Sequence, residues 1–331
     1  MGLDGTPSYP FQKDKSMSLL RRILVCTALC ALPLFAAAAP LAYSSDEGSG
    51  TLSVIDTATD QVIGTIRVGE KPRGAAISKD GKTLYVSDRG TNSLVMVDLQ
   101  KRAVAGSIPL GQSPEGVSIS RDGRWVAAAV EESNDVVFVD TRTNQKAFAI
   151  KVRGKNPEHA EFTPDGRYVF VSAEDGGAVD VIDFATRAEV AQIPLGARPR
   201  GIGFSPDGKR AYVAAEAANT VFVIDIENFK VLARIEAGVR SNGITVDPDG
   251  KQVFVSNGGD ASVSIIDPST NTIVATIPVG QRPWNMALTP DGKKLYVASG
   301  RSDAISVIDV AARKHLTDIP VGKRPWGVVI H

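Results

Sequence analysis

A short apolar phrase ending in aspartate recurs along residues 41–331 and constrains the fold more than any other feature. Its copies read LSVID, LVMVD, VVFVD, VDVID, VFVID, VSIID and ISVID. They end at Asp56, Asp98, Asp140, Asp183, Asp225, Asp267 and Asp309, so successive copies are 42 or 43 residues apart. Seven units of nearly constant length predict a repeat architecture in which each unit is one supersecondary structure.

Each unit reads as four short strands with alternating apolar residues, for example GIGFS, RAYVAA, TVFVID and VLARIEAG. Asp-Gly pairs recur between the first and second strands, where they predict hairpin turns. The aspartate that ends each VID phrase is expected to cap the next turn. Four antiparallel strands per unit of this length are typical of a propeller blade.

The two ends of the repeat region predict how the ring closes. Residues after 40 supply three strands with no innermost strand before them, and RPWGVVIH supplies an innermost strand with nothing after it. Joined, they complete one blade and leave no open sheet edge. The sequence therefore predicts an all-β, seven-bladed β-propeller over residues 39–331, with four antiparallel strands per blade and with the N- and C-terminal strands sharing one blade.

Residues 1–38 are expected to be a secretory signal peptide, with residues 1–16 as an N-terminal extension before Met17. Arg21 and Arg22 precede an apolar stretch over residues 23–35 and a run of small residues. This stretch is short for a membrane span, which needs about 20 residues. We expect cleavage after Ala38, a periplasmic location, and a mature protein without a membrane span. Both cysteines, Cys26 and Cys30, would be removed.

Composition gives little support for several kinds of chemistry. The 37 basic residues equal the 37 acidic ones, which argues against a nucleic-acid partner. The three histidines, His159, His315 and His331, lack metal-ligand spacing, and no nucleophile elbow or phosphate-binding loop is found. We therefore predict no metal, no cofactor and no catalytic residue.

The loops that enter the innermost strands ring the mouth of the central channel and vary most among the repeats. Glycine allows close backbone approach at the second position after the proline, and His159 and Asn285 depart from glycine there. The predicted ligand or partner site consists of Arg73, Glu115, Glu158, His159, Arg200, Asn242, Arg282, Trp284, Asn285, Arg324 and Trp326.

The charges around this mouth predict an electrically divided face. Three successive repeats contribute an acidic sector of Glu115, Glu131, Glu132, Glu158, Glu174, Asp175 and Glu216. A basic sector that carries the two tryptophans lies opposite, and exposed aromatic residues beside arginine are typical interface anchors. Three alternatives stay open: the charges only solvate the loops; Glu158, His159 and Arg200 form an acid–base group; or the neighbouring tryptophans pack as a plug of the channel.

The segment LYVSDRGTNSLVMVD followed by SIPLGQSPEGVSISRDG resembles the YVTN β-propeller repeat family, and the likeness spans residues 41–331. With a signal peptide and the ending VGKRPWGVVIH, the chain is most similar to the β-propeller proteins associated with PQQ-dependent alcohol catabolism. The resemblance implies a non-catalytic binding or accessory protein of the periplasm, with a protein partner or small ligand at the mouth. The alternatives are a lactonase-like hydrolase and a cell-surface interaction protein.

Overall fold

The structure is a computed structural model that describes residue 1, residues 7–10 and residues 39–331. Residues 39–331 form one compact unit. The predicted signal peptide and its extension lie largely outside the described residues. Within the described part of the chain, no helix combines the length and the apolar character that a membrane crossing requires.

Residues 39–331 contain 28 strands in seven four-stranded antiparallel sheets, the blades, and one short 3-10 helix, Glu216–Ala218. Blade 1 is β28 (Pro325–Ile330), β1 (Leu41–Asp46), β2 (Thr51–Asp56) and β3 (Gln61–Arg67). Blades 2 to 4 are β4 (Pro72–Ile77), β5 (Thr83–Asp88), β6 (Ser93–Asp98), β7 (Ala103–Pro109); β8 (Pro114–Ile119), β9 (Trp125–Val130), β10 (Asp135–Asp140), β11 (Gln145–Lys151); and β12 (Pro157–Phe162), β13 (Tyr168–Ala173), β14 (Ala178–Asp183), β15 (Ala188–Pro194). Blades 5 to 7 are β16 (Pro199–Phe204), β17 (Arg210–Ala215), β18 (Thr220–Asp225), β19 (Lys230–Glu236); β20 (Ser241–Val246), β21 (Val253–Asn257), β22 (Ser262–Asp267), β23 (Thr272–Pro278); and β24 (Pro283–Leu288), β25 (Lys294–Ser299), β26 (Ala304–Asp309), β27 (Lys314–Pro320).

The repeated turn residues do what the sequence predicts. Gly81, in the Asp-Gly turn between β4 and β5, has a φ of 69°, which other residues adopt at a cost. The Asp80 carboxylate accepts hydrogen bonds from the Ser78 hydroxyl at 2.6 Å and the Lys82 amide at 3.1 Å. At the end of β2, Asp56 accepts from the Ala58 amide at 2.8 Å. These local bonds set where each strand begins and ends.

Strand β28 closes the ring by pairing antiparallel with β1, from Ala42 opposite Ile330 to Asp46 opposite Pro325. One register shift lies near the end of this ladder, between Ser45 and Asp46. The predicted composite blade is therefore confirmed, as are the seven blades and their four antiparallel strands.

The hydrophobic core lies between neighbouring blades. Phe170 of blade 4 packs in one cluster with Val213 of blade 5, and Tyr296 of blade 7 packs with Ile55 of blade 1. The innermost strands approach one another closely, and a Cβ atom added at Gly74 would lie 2.5 Å from the Glu115 carbonyl oxygen. Burial between blades holds the loops at the mouth of the channel in fixed positions.

Candidate functional site

A cavity of about 490 Å³ lies at the mouth of the channel, and residues from two repeated positions of the blades contribute to its lining. We call these two sets of positions the first and second rings. The first ring follows the prolines that begin the innermost strands. The second ring lies in the loops that follow the second strand of each blade, and its members recur with the period of the repeat. They are Glu47, Arg89, Glu131, Glu174, Glu216, Gly258 and Gly300.

The structure divides the predicted site residues among three places. Eight of them line the mouth: Arg73, Glu158, Arg200, Asn242, Arg282, Trp284, Arg324 and Trp326. His159 and Asn285 line a separate cavity inside the channel, and Trp326 borders both cavities. Glu115 is fully buried beneath the mouth and lines neither cavity.

Arginines of blade 2 neutralise the carboxylates of the adjoining blades. The Arg73 guanidinium pairs with Glu47 of blade 1 at 2.8 Å and with Glu115 of blade 3. Arg89 lies 3.6 Å from Glu115 and 3.4 Å from Glu131. Both arginines therefore reach across blade boundaries into the predicted acidic sector.

On the other flank of this sector, Arg200 of blade 5 is shared by three carboxylates. Its guanidinium lies 2.6 Å from Glu158, 2.9 Å from Glu174 and 2.8 Å from Glu216. Arg198 pairs with Glu174 as well. Burial alone would raise the pKa of Glu158, but the Arg200 charge, with smaller contributions from its other neighbours, lowers it.

Glu216 is surrounded by three arginines. Besides Arg200, its carboxylate accepts hydrogen bonds from Arg240 and Arg282, both at 2.8 Å. Burial opposes ionisation, yet the three arginines lower the pKa of Glu216 to about 2. Burial lowers the pKa of Arg282, and the like charges of Arg240 and Arg200 add to this effect. Among the described residues, the buried Arg282 Nη1 has no hydrogen-bond partner.

The expectation of an electrically divided face is therefore corrected. Arginines from both flanks enter the acidic sector, and Glu216, a member of that predicted sector, lies among arginines instead. Arg282 turns toward Glu216, and Arg324 has its Nη2 atom 3.5 Å from Glu47. Long guanidinium side chains cross blade boundaries because a buried charge is costly without a partner.

Three carboxylates come close enough together to suggest a metal site. Oxygen atoms of Glu115, Glu131 and Glu158 lie within 4.8 Å of one another. Burial and the neighbouring Glu158 charge raise the pKa of Glu115, against the lowering effect of Arg73. Guanidinium groups already contact all three carboxylates, so they supply the positive charge that a metal ion would bring.

At blades 6 and 7 the first ring carries the uncharged Asn242 and Trp284, and the second ring carries glycine. Trp284 is half-buried, and the Arg282 guanidinium lies 5.9 Å from its ring centre. A Cβ atom at Gly258 would lie 2.6 Å from Arg282 Nη1, and one at Gly300 would lie 2.8 Å from Trp284 Cζ3. The two glycines thus make room for these side chains.

Trp326 closes the channel and is not an exposed anchor. Trp326 is 7% exposed. Its indole stacks on the imidazole of His159, which comes from the opposite side of the propeller, with the two ring centroids 5.7 Å apart and the ring planes at 21°. The expectation of an exposed indole is therefore wrong for Trp326. The stack also separates the proposed acid–base group, since Glu158 and Arg200 line the mouth and His159 lines the channel.

Glu47 and Arg89, which complete the ion pairs of the mouth, are not among the site residues predicted from the sequence. Each occupies the position that Glu131 and Glu174 occupy in later blades, at the same interval along the chain. Aligning the second-ring loops by the period of the repeat would have placed both residues at the mouth.

The family comparison agrees with this architecture. The model of the lactonase family, described as a seven-bladed β-propeller, matches residues 34–153 and 159–320, and the chain belongs to that family. No curated protein matches the chain in sequence. The finer resemblance to YVTN-repeat proteins linked to PQQ-dependent catabolism stays a prediction.

Several solved structures share the fold. Hydrazine synthase from Kuenenia stuttgartiensis is 26% identical, with 81% of this chain and 92% of that chain covered and a TM-score of 0.75. A functionally unknown protein from Desulfotomaculum acetoxidans DSM 771 is 17% identical, with coverage of 88% and 98% and a TM-score of 0.77. The dihydro-heme d1 dehydrogenase NirN in complex with DHE is 19% identical, with coverage of 87% and 74% and a TM-score of 0.67. The last two likenesses concern the fold alone.

Proposed function

We propose that this propeller is a non-catalytic binding protein whose mouth takes a small organic anion. The observation that carries the proposal is the charge balance at Glu216. This single carboxylate pairs with both Arg240 and Arg282. Arg200, its third neighbour, also pairs with other carboxylates. The surplus positive charge lies beside Trp284, where a ligand carboxylate would be stabilised by charge-assisted hydrogen bonds.

The shape and lining of the mouth support a ligand with an apolar or planar part. The cavity of about 490 Å³ is large enough for a small molecule. Trp284 offers an indole face beside Arg282, so a planar anion could stack on the ring and pair with the guanidinium. Because the Trp326–His159 stack lies beneath, such a ligand would bind in a blind pocket.

The location and biological setting belong to the same proposal. We propose that the protein is exported to the periplasm and serves PQQ-dependent alcohol oxidation as an accessory or binding protein. PQQ is itself a planar tricarboxylate, the chemical class that the mouth favours. N-terminal sequencing of exported protein should give a start near Ala39, and retention of residues 17–38 would contradict export by signal-peptide cleavage.

Calorimetric titration with benzoate and its neutral isostere benzamide tests the anion site. Benzoate should bind and benzamide should not. Arg282→Gln should weaken benzoate binding at least about tenfold, or roughly 1.4 kcal/mol. Arg313→Gln, which removes an exposed charge from an outer turn, is the matched control and should bind normally. Added salt should weaken binding, because screening reduces the attraction.

Equal binding of benzoate and benzamide, or an unchanged affinity in Arg282→Gln, would refute the anion site. Titration with PQQ forms a separate arm of the experiment. If benzoate binds and PQQ does not, the anion site stands and the PQQ link is dropped. Capture of a protein partner by wild type but not by Arg282→Gln, without binding of either anion, would assign the mouth to a macromolecule.

Membership of the lactonase family favours a second candidate, hydrolysis of a lactone at the mouth. The proposed acid–base group does not share one cavity, which is why we place binding first. Turnover of a lactone panel that is abolished by His159→Ala would establish the hydrolase instead. Turnover that survives this change would require a different catalytic group.

A further inference from the structure

A second cavity of about 330 Å³ lies inside the central channel, below the mouth. The innermost strands line it with glycine, alanine and valine, and Trp326 stands between it and the mouth cavity. The polar side chains that reach it include His159, Glu161 and Asn285. This cavity plays no part in the proposed anion site.

Glu161 is a departure from the repeat that the fold does not require. It lies two residues after His159 in β12, so the two side chains share the channel face of the strand. The six equivalent positions carry small or uncharged residues. They are Ala76, Ser118, Gly203, Thr245, Ala287 and Val329.

The Glu161 carboxylate has the ring of His159 as its ion-pair partner on the channel face. Nδ1 of this ring lies 3.6 Å from Glu161 Oε1, an ion-pair distance that is too long for a hydrogen bond, so a hydrogen-bond donor is still lacking at this distance. The side chain is 27% exposed, and this exposed part faces the channel cavity. Burial in the channel raises the pKa of Glu161, against the lowering effect of His159. An enclosed carboxylate is costly unless a positive charge or hydrogen-bond donors reach it.

We propose that Glu161 and the channel around it bind a small monovalent cation that donates hydrogen bonds, such as ammonium or a primary ammonium group. One carboxylate balances one positive charge, and Glu161 is the carboxylate that lines this cavity. A calcium ion prefers six to eight oxygen ligands, which this lining does not offer. Trp326 borders the cavity with an aromatic ring, a surface that attracts ammonium groups.

Thermal unfolding in methylammonium chloride tests this site, with sodium chloride at equal ionic strength as the reference. The measurement is made at about pH 8, where the amine is still charged. Methylammonium should raise the melting temperature of the wild type in a saturable way, since a ligand that binds the native state stabilises it. Glu161→Gln should raise the half-maximal concentration at least about tenfold.

Two further variants make the result specific. Glu161→Ser places in blade 4 the residue that blade 3 carries as Ser118, and it should also lose the response. Glu227→Gln removes an exposed carboxylate from a turn and changes net charge equally, so its response should match the wild type. Arg282→Gln should respond normally as well, which separates this site from the anion site at the mouth.

Four results would overturn the proposal. The first is the absence of a saturable response in the wild type, and the second is an equal response in Glu161→Gln. The third is stabilisation by magnesium chloride but not by methylammonium, which would assign the cavity to a divalent ion. Carbon-13 spectra of labelled glutamate that show Glu161 as a neutral acid under these conditions would also exclude a bound cation.

Discussion

At the residue scale, two nearly identical motifs have different roles. QRPWNMAL and KRPWGVVI place Trp284 and Trp326 at the same position of adjacent blades. Trp284 stays half-buried beside Arg282, whereas Trp326 crosses the channel and stacks on His159. The difference depends on what lies across the ring, and the local motif carries no information about that.

Single alanine substitutions should separate the two tryptophans. Trp284→Ala should leave the melting temperature nearly unchanged while weakening anion binding, because the indole wall of the mouth is lost. Trp326→Ala should lower stability by about 3–5 kcal/mol, the usual cost of truncating a buried aromatic residue. Denaturant unfolding measures both effects. A Trp326→Ala protein as stable as the wild type would contradict the role of this residue in closing the channel.

The contrast also shows which parts of the site the sequence could predict. The repeat places Arg73, Glu158 and Trp284 at the mouth, since equivalent positions lie at equivalent places in every blade. It does not predict that Arg282 turns toward Glu216, because a long side chain selects its partner across a blade boundary. Nor does it predict the Trp326–His159 contact, which joins blades on opposite sides of the ring and follows no period.

At the scale of the element, β28 differs from the other innermost strands because its blade is assembled from both ends of the propeller. It pairs with β1 through the ladder from Ala42 to Asp46. In the other blades the first and second strands are joined by a short turn, so their pairing is local. Here the equivalent pairing depends on closure of the whole ring.

Deleting residues 325–331 should open the ring. The ladder partners of β28 on β1 would lose their hydrogen bonds, and each buried unsatisfied group costs about 1–3 kcal/mol. Several such losses approach the total stability of a domain, about 5–15 kcal/mol. A circular permutant that joins residues 331 and 39 and opens at an exposed outer turn is the control, and it should fold. A truncated protein that melts like the full chain would contradict closure by β28.

At the scale of the whole molecule, stability should depend on buried acids whose pKa values are raised by burial. Asp46 is fully buried and accepts hydrogen bonds from the hydroxyls of Ser44, Thr51 and Ser53. Burial raises the pKa of Asp46 to about 6, against these hydrogen bonds, and burial likewise raises the pKa of Asp180 to about 6. The folded protein therefore holds these protons to a higher pH than the unfolded chain does.

The sign of the effect follows from this difference. As pH rises from about 4 to about 6, the unfolded chain releases the Asp46 proton first, so this group favours unfolding progressively and stability falls. Asp46→Asn should remove this contribution and increase stability at neutral pH by roughly 1–3 kcal/mol. Blade 6 shows that asparagine fits, since Asn257 donates to Ser262 and Ser264 at 3.0 and 2.9 Å. Urea unfolding of both proteins across this pH range provides the measurement, and parallel pH profiles would refute the assignment.

The pairing of β28 with β1 also sets an order of events during synthesis. Ser45 Oγ lies 3.4 Å from the Gly327 carbonyl oxygen, although the two residues are 282 positions apart. A ribosome must therefore add more than six blades of chain before β1 meets its neighbour. Until then β1 presents an unpaired edge, the kind of edge that recruits foreign strands. A chain of this design gains by remaining unfolded until synthesis has passed β28, a delay that transport across a membrane before folding would provide.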